Sequence, residues 1–286
     1  MPCNKISILP GIEHFHDLIF PDGRGFLAMV FDAFMDDSAD ALAEKVAVSG
    51  IFIGNKEQWS FLRREWRKRL KSEGMLYFKA SEYYGLRGEF QKFRSESKYA
   101  PPSGREAAKR IFDDLEALIR RAEIVSLGIV IPVGDYMAIR ALPEAEGIWQ
   151  QPPYFAALNG GFFETVKAIR RLPGNNAVAF VHDDDNRFPE YLRAYHEFKE
   201  KNPKTAGLMR GFIPLDDKQH PSLQAADLAA NATCNFAKEW LDKPTEATLQ
   251  RLRRSMYKIG IWDKDYMLEV LRTCRPTSGT RGENRA

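Results

Sequence analysis

Two periods of apolar residues divide this chain. Phe26–Met35 is a dense apolar run carrying Val30, Phe31 and Phe34, and it closes on Asp36-Asp37-Ser38. Such a run predicts a buried strand. Val46–Ile53 predicts a second, and the short polar link between the two favours an antiparallel hairpin, because a parallel crossover needs a dozen or more residues. The period then lengthens. Trp59, Leu62, Trp66 and Leu70 recur at helical spacing behind Asn55, a good N-cap, and Gly74 suits the helix end. Met75–Lys79 reads as a third short strand. Lys92–Arg105, polar and holding Pro101-Pro102, reads as an exposed loop, and Glu106–Ala122 as a helix with Ile111, Leu115, Leu118 and Ile119 inward.

Beyond this point strands and helices alternate. Ile124–Val133, Ala177–Val181 and Phe212–Leu215 read as strands, with Leu142–Pro153 loop-like. Tyr154–Arg171, Pro189–Lys201, Pro221–Leu241 and Glu246–Tyr257 read as helices. Gly160-Gly161 costs its helix stability, which points to a close backbone approach. A hairpin followed by alternating elements predicts an α/β fold, a mixed sheet with helices on both faces. The expected organisation is an irregular segment over 1–24 and a single domain with helical insertions over 25–257. A C-terminal extension over 258–286 follows, its tail disordered from about 275 because Gly, Ser, Thr and Arg dominate it.

Composition narrows the class. At 44% hydrophobic and 28% charged, the 286 residues suit a globular core rather than disorder. A formal charge of +3 exerts no general pull on nucleic acid, so any basic surface must come from local clustering. Cys3, Cys234 and Cys274 are far apart and form no CxxC pair, which argues against a cysteine zinc site and for a reducing compartment. The N-terminus has no signal-peptide apolar stretch, and the longest apolar runs are too short to span a bilayer. The expectation is a soluble cytoplasmic protein with no membrane partner. No GxGxxG, GxxxxGK[ST] or GxSxG motif occurs.

Three acidic places remain. Asp36-Asp37 closes the first strand, and Asp32 shares a face with Asp36 by the period of two. His182-Asp183-Asp184-Asp185-Asn186 follows a middle strand, and its adjacent like charges would be offset by a cation. In L-Q-A-A-D-L-A-A-N, Gln224, Asp227 and Asn231 form one stripe flanked by Ala225, Ala226, Ala229, Ala230 and Ala232, which let a helix press closely on a sheet. Each has a plainer explanation: a hairpin turn, a turn with an N-cap, a solvated helix face. Together, an acid on an early strand, one after a middle strand and one on a late helix can converge on a two-metal site. Hard oxygen ligands suit Mg²⁺ or Mn²⁺. Lys218 is placed to meet a phosphate, and Gln224 to orient Asp227 or the substrate. Arg63, Arg64, Arg67 and Lys68 form a basic helix that can follow a nucleic-acid backbone, or serve as a solvated outer face.

The motifs F-M-D-D-S-A, F-V-H-D-D-D and L-D-D-K-Q-H-P-S-L-Q-A-A-D-L resemble those of the domain-of-unknown-function family 3800 over Phe26 to Ala232, L-Q-A-A-D-L being the most specific. The resemblance implies a ribonuclease H-like fold and a metal-dependent nuclease. It makes Asp36, Asp183 and Asp227 metal ligands and Asp37, where that family often has Glu, a supporting acid at the metal. The chain departs from the pattern at Ala39-Asp40, where Gly is usual nearby, and at Asp217, where Ser is common. A further acid is expected near the first helix, with Glu82 as candidate. The expected function is hydrolysis of phosphodiester bonds in DNA or RNA by a two-metal mechanism. The alternatives are a non-catalytic module of the same fold that binds nucleic acid or protein, and an aspartyl phosphatase using Asp36. The phosphatase fits poorly, because such enzymes want D-x-D and a helix directly after the first strand.

Overall fold

A computed structural model describes residues 30–39, 45–95, 103–147, 149, 151–172, 176–254, 256 and 258–274. Strands β1 (Val30–Ala39), β2 (Val46–Gly54), β3 (Val125–Pro132), β4 (Ala177–Asp183), β5 (Met209–Leu215) and β6 (Lys258–Ile261) make one mixed sheet, in the order β5-β4-β1-β2-β3-β6. The β1–β2 hairpin is antiparallel, as is β2 against β3. β4 runs parallel to both β1 and β5, and β6 parallel to β3. The helices are α1 (Lys56–Ser72), α2 (Ala80–Gly85), α3 (Lys92–Ser95), α4 (Ser103–Arg121), α5 (Val133–Arg140), α6 (Pro153–Arg170), α7 (Phe188–Lys201), α8 (Pro203–Ala206), α9 (Pro221–Asp242), α10 (Glu246–Arg254) and α11 (Lys264–Cys274). Among the described residues no helix is long and apolar enough to cross a membrane.

Both faces of the sheet are covered. Phe34 of β1 and Val181 of β4 pack with α1, α2, α4 and α9, whereas Ala33, Met35 and Phe180 pack with α6 and α7. The predicted stripe of α1 is its buried face: Trp59, Leu62, Trp66 and Leu70 are all sealed from solvent. Its N-terminus is closed by a reciprocal bond pair, Gln58 N–H to the Asn55 side chain and Asn55 N–H to the Gln58 side chain, both 2.9 Å. The alanine stripe of α9 lies directly on the hairpin, for a Cβ on Gly50 would come 2.9 Å from the Ala230 Cβ. On the other face a Cβ on Gly160 would meet the Trp262 ring at 2.7 Å and one on Gly161 the Ile51 side chain at 2.8 Å. The glycine pair therefore lets α6 approach as expected.

Four expectations change. The first strand does not stop at Met35, where Asp36 and Asp37 are expected to close it, but runs on to Ala39. Both acids lie inside β1, opposite Gly50 and Ser49 of β2. Residues 26–29 of the expected first strand fall outside the described residues. Met75–Lys79 is not a strand, because its backbone bonds to side chains: Leu76 N–H donates to Glu89 and Phe78 N–H to Gln224. The expected loop from Lys92 begins and ends as helix, with Phe93 buried against Phe90 at 5.8 Å and Ser103 opening α4. Residues 96–102 lie outside the described residues. The boundary placed at 257 falls within the domain, since β6 extends the sheet edge and Trp262 packs behind it. The segments 1–24 and 275–286 lie outside the described residues.

Candidate metal centre

The parallel register of β1 and β4 brings the first two acids together. Phe34 pairs with Val181, so Asp36 and Asp183, each two residues further on, leave the same end and the same face of the sheet. The third acid comes from above. Asp36 is in register with Gly50, and Ala230 of α9 sits on Gly50. Asp227, three residues before Ala230, is thereby turned inward over β1. Its charge acts on the Asp36 carboxyl, and its Oδ2 accepts the Ala80 N–H at 2.7 Å. The turn before α9 completes the floor. Asp217 N–H donates to Asp183 Oδ1 at 3.1 Å, and Lys79 Nζ donates to Asp217 Oδ2 at 2.6 Å.

Electrostatics follow from this crowding. Burial, then the charges of Asp227, Asp37 and Asp183, hold the Asp36 carboxyl well above the usual carboxylate range. Burial pushes Asp227 up to about 6, although the Ala80 N–H and Lys79 pull the other way. Asp183 is raised by burial and then by Asp217. Burial opposes the Lys79 charge, but its bond to Asp217 and the charges of Asp217, Asp183 and Asp227 outweigh that and raise its pKa. Buried acids crowded in this way resist ionising together. A divalent cation offsets that repulsion, and the oxygen donors suit a hard ion.

Asp37 leaves the opposite face of β1. Its Oδ1 accepts from Tyr191 OH at 3.0 Å and its Oδ2 from Arg187 at 3.0 Å. His182 Nε2 lies 3.5 Å from Asp37 Oδ1. The two faces meet at the strand ends, where ligand atoms of Asp36, Asp37 and His182 all lie within 4.8 Å of one another, a group able to hold a metal ion.

Other expected site residues are placed differently. Lys218 is exposed, with its ammonium 5.4 Å above the Tyr77 ring. Lys79 is the lysine that reaches the acids, and no sequence pattern singles it out. Gln224 is tied into the packed fold. It is 1% exposed and every polar atom of its amide is used: Oε1 accepts from Trp66 Nε1 and Phe78 N, while Nε2 donates to the carbonyls of Asp217 and Lys218. It is a strut that pins the turn bearing Asp217. Glu82 serves the fold by accepting from Tyr77 OH at 2.9 Å and from Glu89 N–H at 3.0 Å. Asp217 is the further acid at the cluster.

The basic helix splits by its own period. Arg63 and Arg67, four apart, face the start of α9, where the His220 pKa is lowered by burial and then by both arginines, Arg67 before Arg63. Arg64 instead bonds Glu65 at 2.8 Å, and Lys68 lines a shallow groove toward α4 with Asp114 and Arg121.

The strand order and directions, with a late helix crossing beside the first and middle strands, define a mixed α/β protein of ribonuclease H-like design. No protein-family model matches the chain, and no curated protein matches it. Among solved structures, the chain is similar to the crystal structure of Bst-RNase HIII in complex with Mn²⁺, at 12% identity and a TM-score of 0.41, over 88% of this chain and 68% of that one.

Proposed function

We propose that this protein is a metal-dependent nuclease that hydrolyses phosphodiester bonds in nucleic acid, with Asp36, Asp183 and Asp227 holding Mg²⁺ or Mn²⁺. The observation that carries this reading is that Asp36, Asp183 and Asp227, three acids from distant parts of the chain, come to one face of the sheet, where burial and mutual charge hold the Asp36 carboxyl well above the usual range. When bound, divalent ions supply positive charge against the attacking and leaving oxygens of a phosphodiester. The chain's own residues do the rest. Ala80 N–H and Asp217 N–H fix the carboxylates of Asp227 and Asp183, Lys79 keeps a positive charge beside them, and Arg63 and Arg67 offer phosphate contacts at the rim. Asp37, held by Tyr191 and Arg187, supports the centre from the far side of β1. The motif resemblance to the domain-of-unknown-function family 3800 points the same way. The widely spaced cysteines, with Cys234 a buried thiol, favour the cytoplasm as its place of work.

The test is purified protein with labelled DNA, RNA and hybrid duplex, in Mg²⁺, Mn²⁺ or EDTA. Cleavage is expected with metal only, and Asp36→Asn and Asp227→Asn should abolish it. Binding without cleavage in every metal would overturn the reading in favour of a non-catalytic nucleic-acid module.

A further inference from the structure

We infer that His182 is a nitrogen ligand to a divalent cation held with Asp36 and Asp37, so that this centre favours transition ions such as Mn²⁺ over Mg²⁺. The inference rests on the proposed reading in one respect, that Asp36 binds a cation. His182 is 1% exposed, yet its Nε2 is buried without a hydrogen-bond partner. A buried unpaired nitrogen is costly, which is why such groups nearly always find a partner. The ring's other nitrogen settles what Nε2 offers. Nδ1 lies 3.2 Å from the Asp183 carbonyl oxygen, which only accepts, so in the neutral ring Nδ1 carries the hydrogen and Nε2 the lone pair.

That lone pair faces another. Asp37 Oδ1 is 3.5 Å from Nε2, and two acceptors facing each other repel unless something positive stands between them. A single ion at about 2.1 Å from each atom spans such a gap. The ring cannot turn away, because Tyr191 packs on it at 4.4 Å and Phe212 at 6.1 Å. An imidazole whose far N–H is tied to a backbone carbonyl is also the usual support of a metal-bound histidine, since it sets tautomer and orientation. Asp37 keeps capacity for an ion: Tyr191 takes one lone pair of Oδ1 and Arg187 bonds Oδ2, leaving Oδ1 a second lone pair. Nitrogen ligation disfavours Mg²⁺, which prefers oxygen and its own water, and leaves Mn²⁺ and later transition ions favoured.

The experiment is pulsed electron paramagnetic resonance on the full chain loaded with one equivalent of Mn²⁺, with Mn²⁺ and Mg²⁺ affinities measured by titration. Wild-type protein should show a ¹⁴N coupling. His182→Gln should lose it and bind Mn²⁺ roughly ten-fold or more weakly, with Mg²⁺ affinity changed by less than about three-fold. Mn²⁺ bound tightly by the wild type without ¹⁴N coupling would overturn the inference and leave the nuclease reading standing. No binding of either ion would overturn both. A coupling that survives in His182→Gln would assign the nitrogen to another histidine and overturn the inference. The wild-type spectrum needs no variant, so a poorly folding His182→Gln does not remove the test.

Discussion

Asp227→Asn should make the metal-free protein more stable, against the usual sign for altering a site residue. The Asp227 carboxyl is pushed up to about 6 from an ordinary 3.8, chiefly by burial. The unfolded chain therefore releases this proton near pH 4, while the folded protein holds it until about pH 6. Between those values the folded state binds more protons, so stability falls as pH rises and stays low above. At about 1.4 kcal/mol per pH unit, the loss at pH 8 is on the order of 3 kcal/mol. Asparagine has the same shape and no charge. Its Oδ1 can accept the Ala80 N–H, so that bond persists. The variant should match wild type near pH 4 and melt higher at pH 8 in EDTA. At about 2 °C per kcal/mol for a chain of this size, the rise is roughly 6 °C. Saturating Mn²⁺ should reverse the order, because the wild type, with Asp227 as an added ligand, gains more by linkage than the variant. The assay is a series of thermal melts followed by circular dichroism across pH, with EDTA and with Mn²⁺. If the variant melts at or below wild type in EDTA at pH 8, the repulsion is not stored in this carboxyl and the reasoning fails.

Gly50→Val should push α9 from the sheet, because a Cβ there falls 2.9 Å from the Ala230 Cβ; the cost is about 1–3 kcal/mol in denaturant melts, with most of the metal-induced stabilisation lost. Gln224→Ala should destabilise by about 2 kcal/mol, by orphaning Trp66 Nε1 and Phe78 N–H, while leaving the salt dependence of nucleic-acid binding unchanged; a changed slope would restore it as a substrate contact. Replacing Arg63 and Arg67 with Gln should flatten the slope of log affinity against log salt by roughly 1–2 units, whereas the same change at Arg64 and Lys68 should not; equal effects would refute the division of α1 into two faces.

Much of the site could be nominated before it could be assembled. Asp36 and Asp227 stand out because an acid closing an apolar strand and another in an alanine-rich helix can be carried against the sheet. Lys79 does not stand out, since its neighbours Phe78 and Ala80 suggest only a short buried run. Its role arises because Gln224, from a distant helix, holds the Tyr77–Phe78 segment irregular and turns Lys79 to Asp217. Lys218 is nearer the motif in sequence but faces Tyr77. His182 was visible only as the first residue of an acidic run, because burial of one ring nitrogen without a partner is a property of the packed fold.

What the amino-acid sequence determined by itself is whatever neighbours along the chain decide. Asn55 caps α1, four apolar residues choose its buried face, the short polar link sets the β1–β2 hairpin, and Gly160-Gly161 marks the close approach of α6. These depend on backbone periods and side-chain size, which are local. The tertiary structure alone decided that β6 joins the sheet, that Asp36 and Asp37 lie within β1 on opposite faces, and that Asp183 and Asp227 come to the same face as the first of them. Those outcomes depend on strand register and on the seating of α9 over Gly50. One residue of slip in β1 would exchange the faces of Asp36 and Asp37, and no local pattern records where two distant segments come to rest.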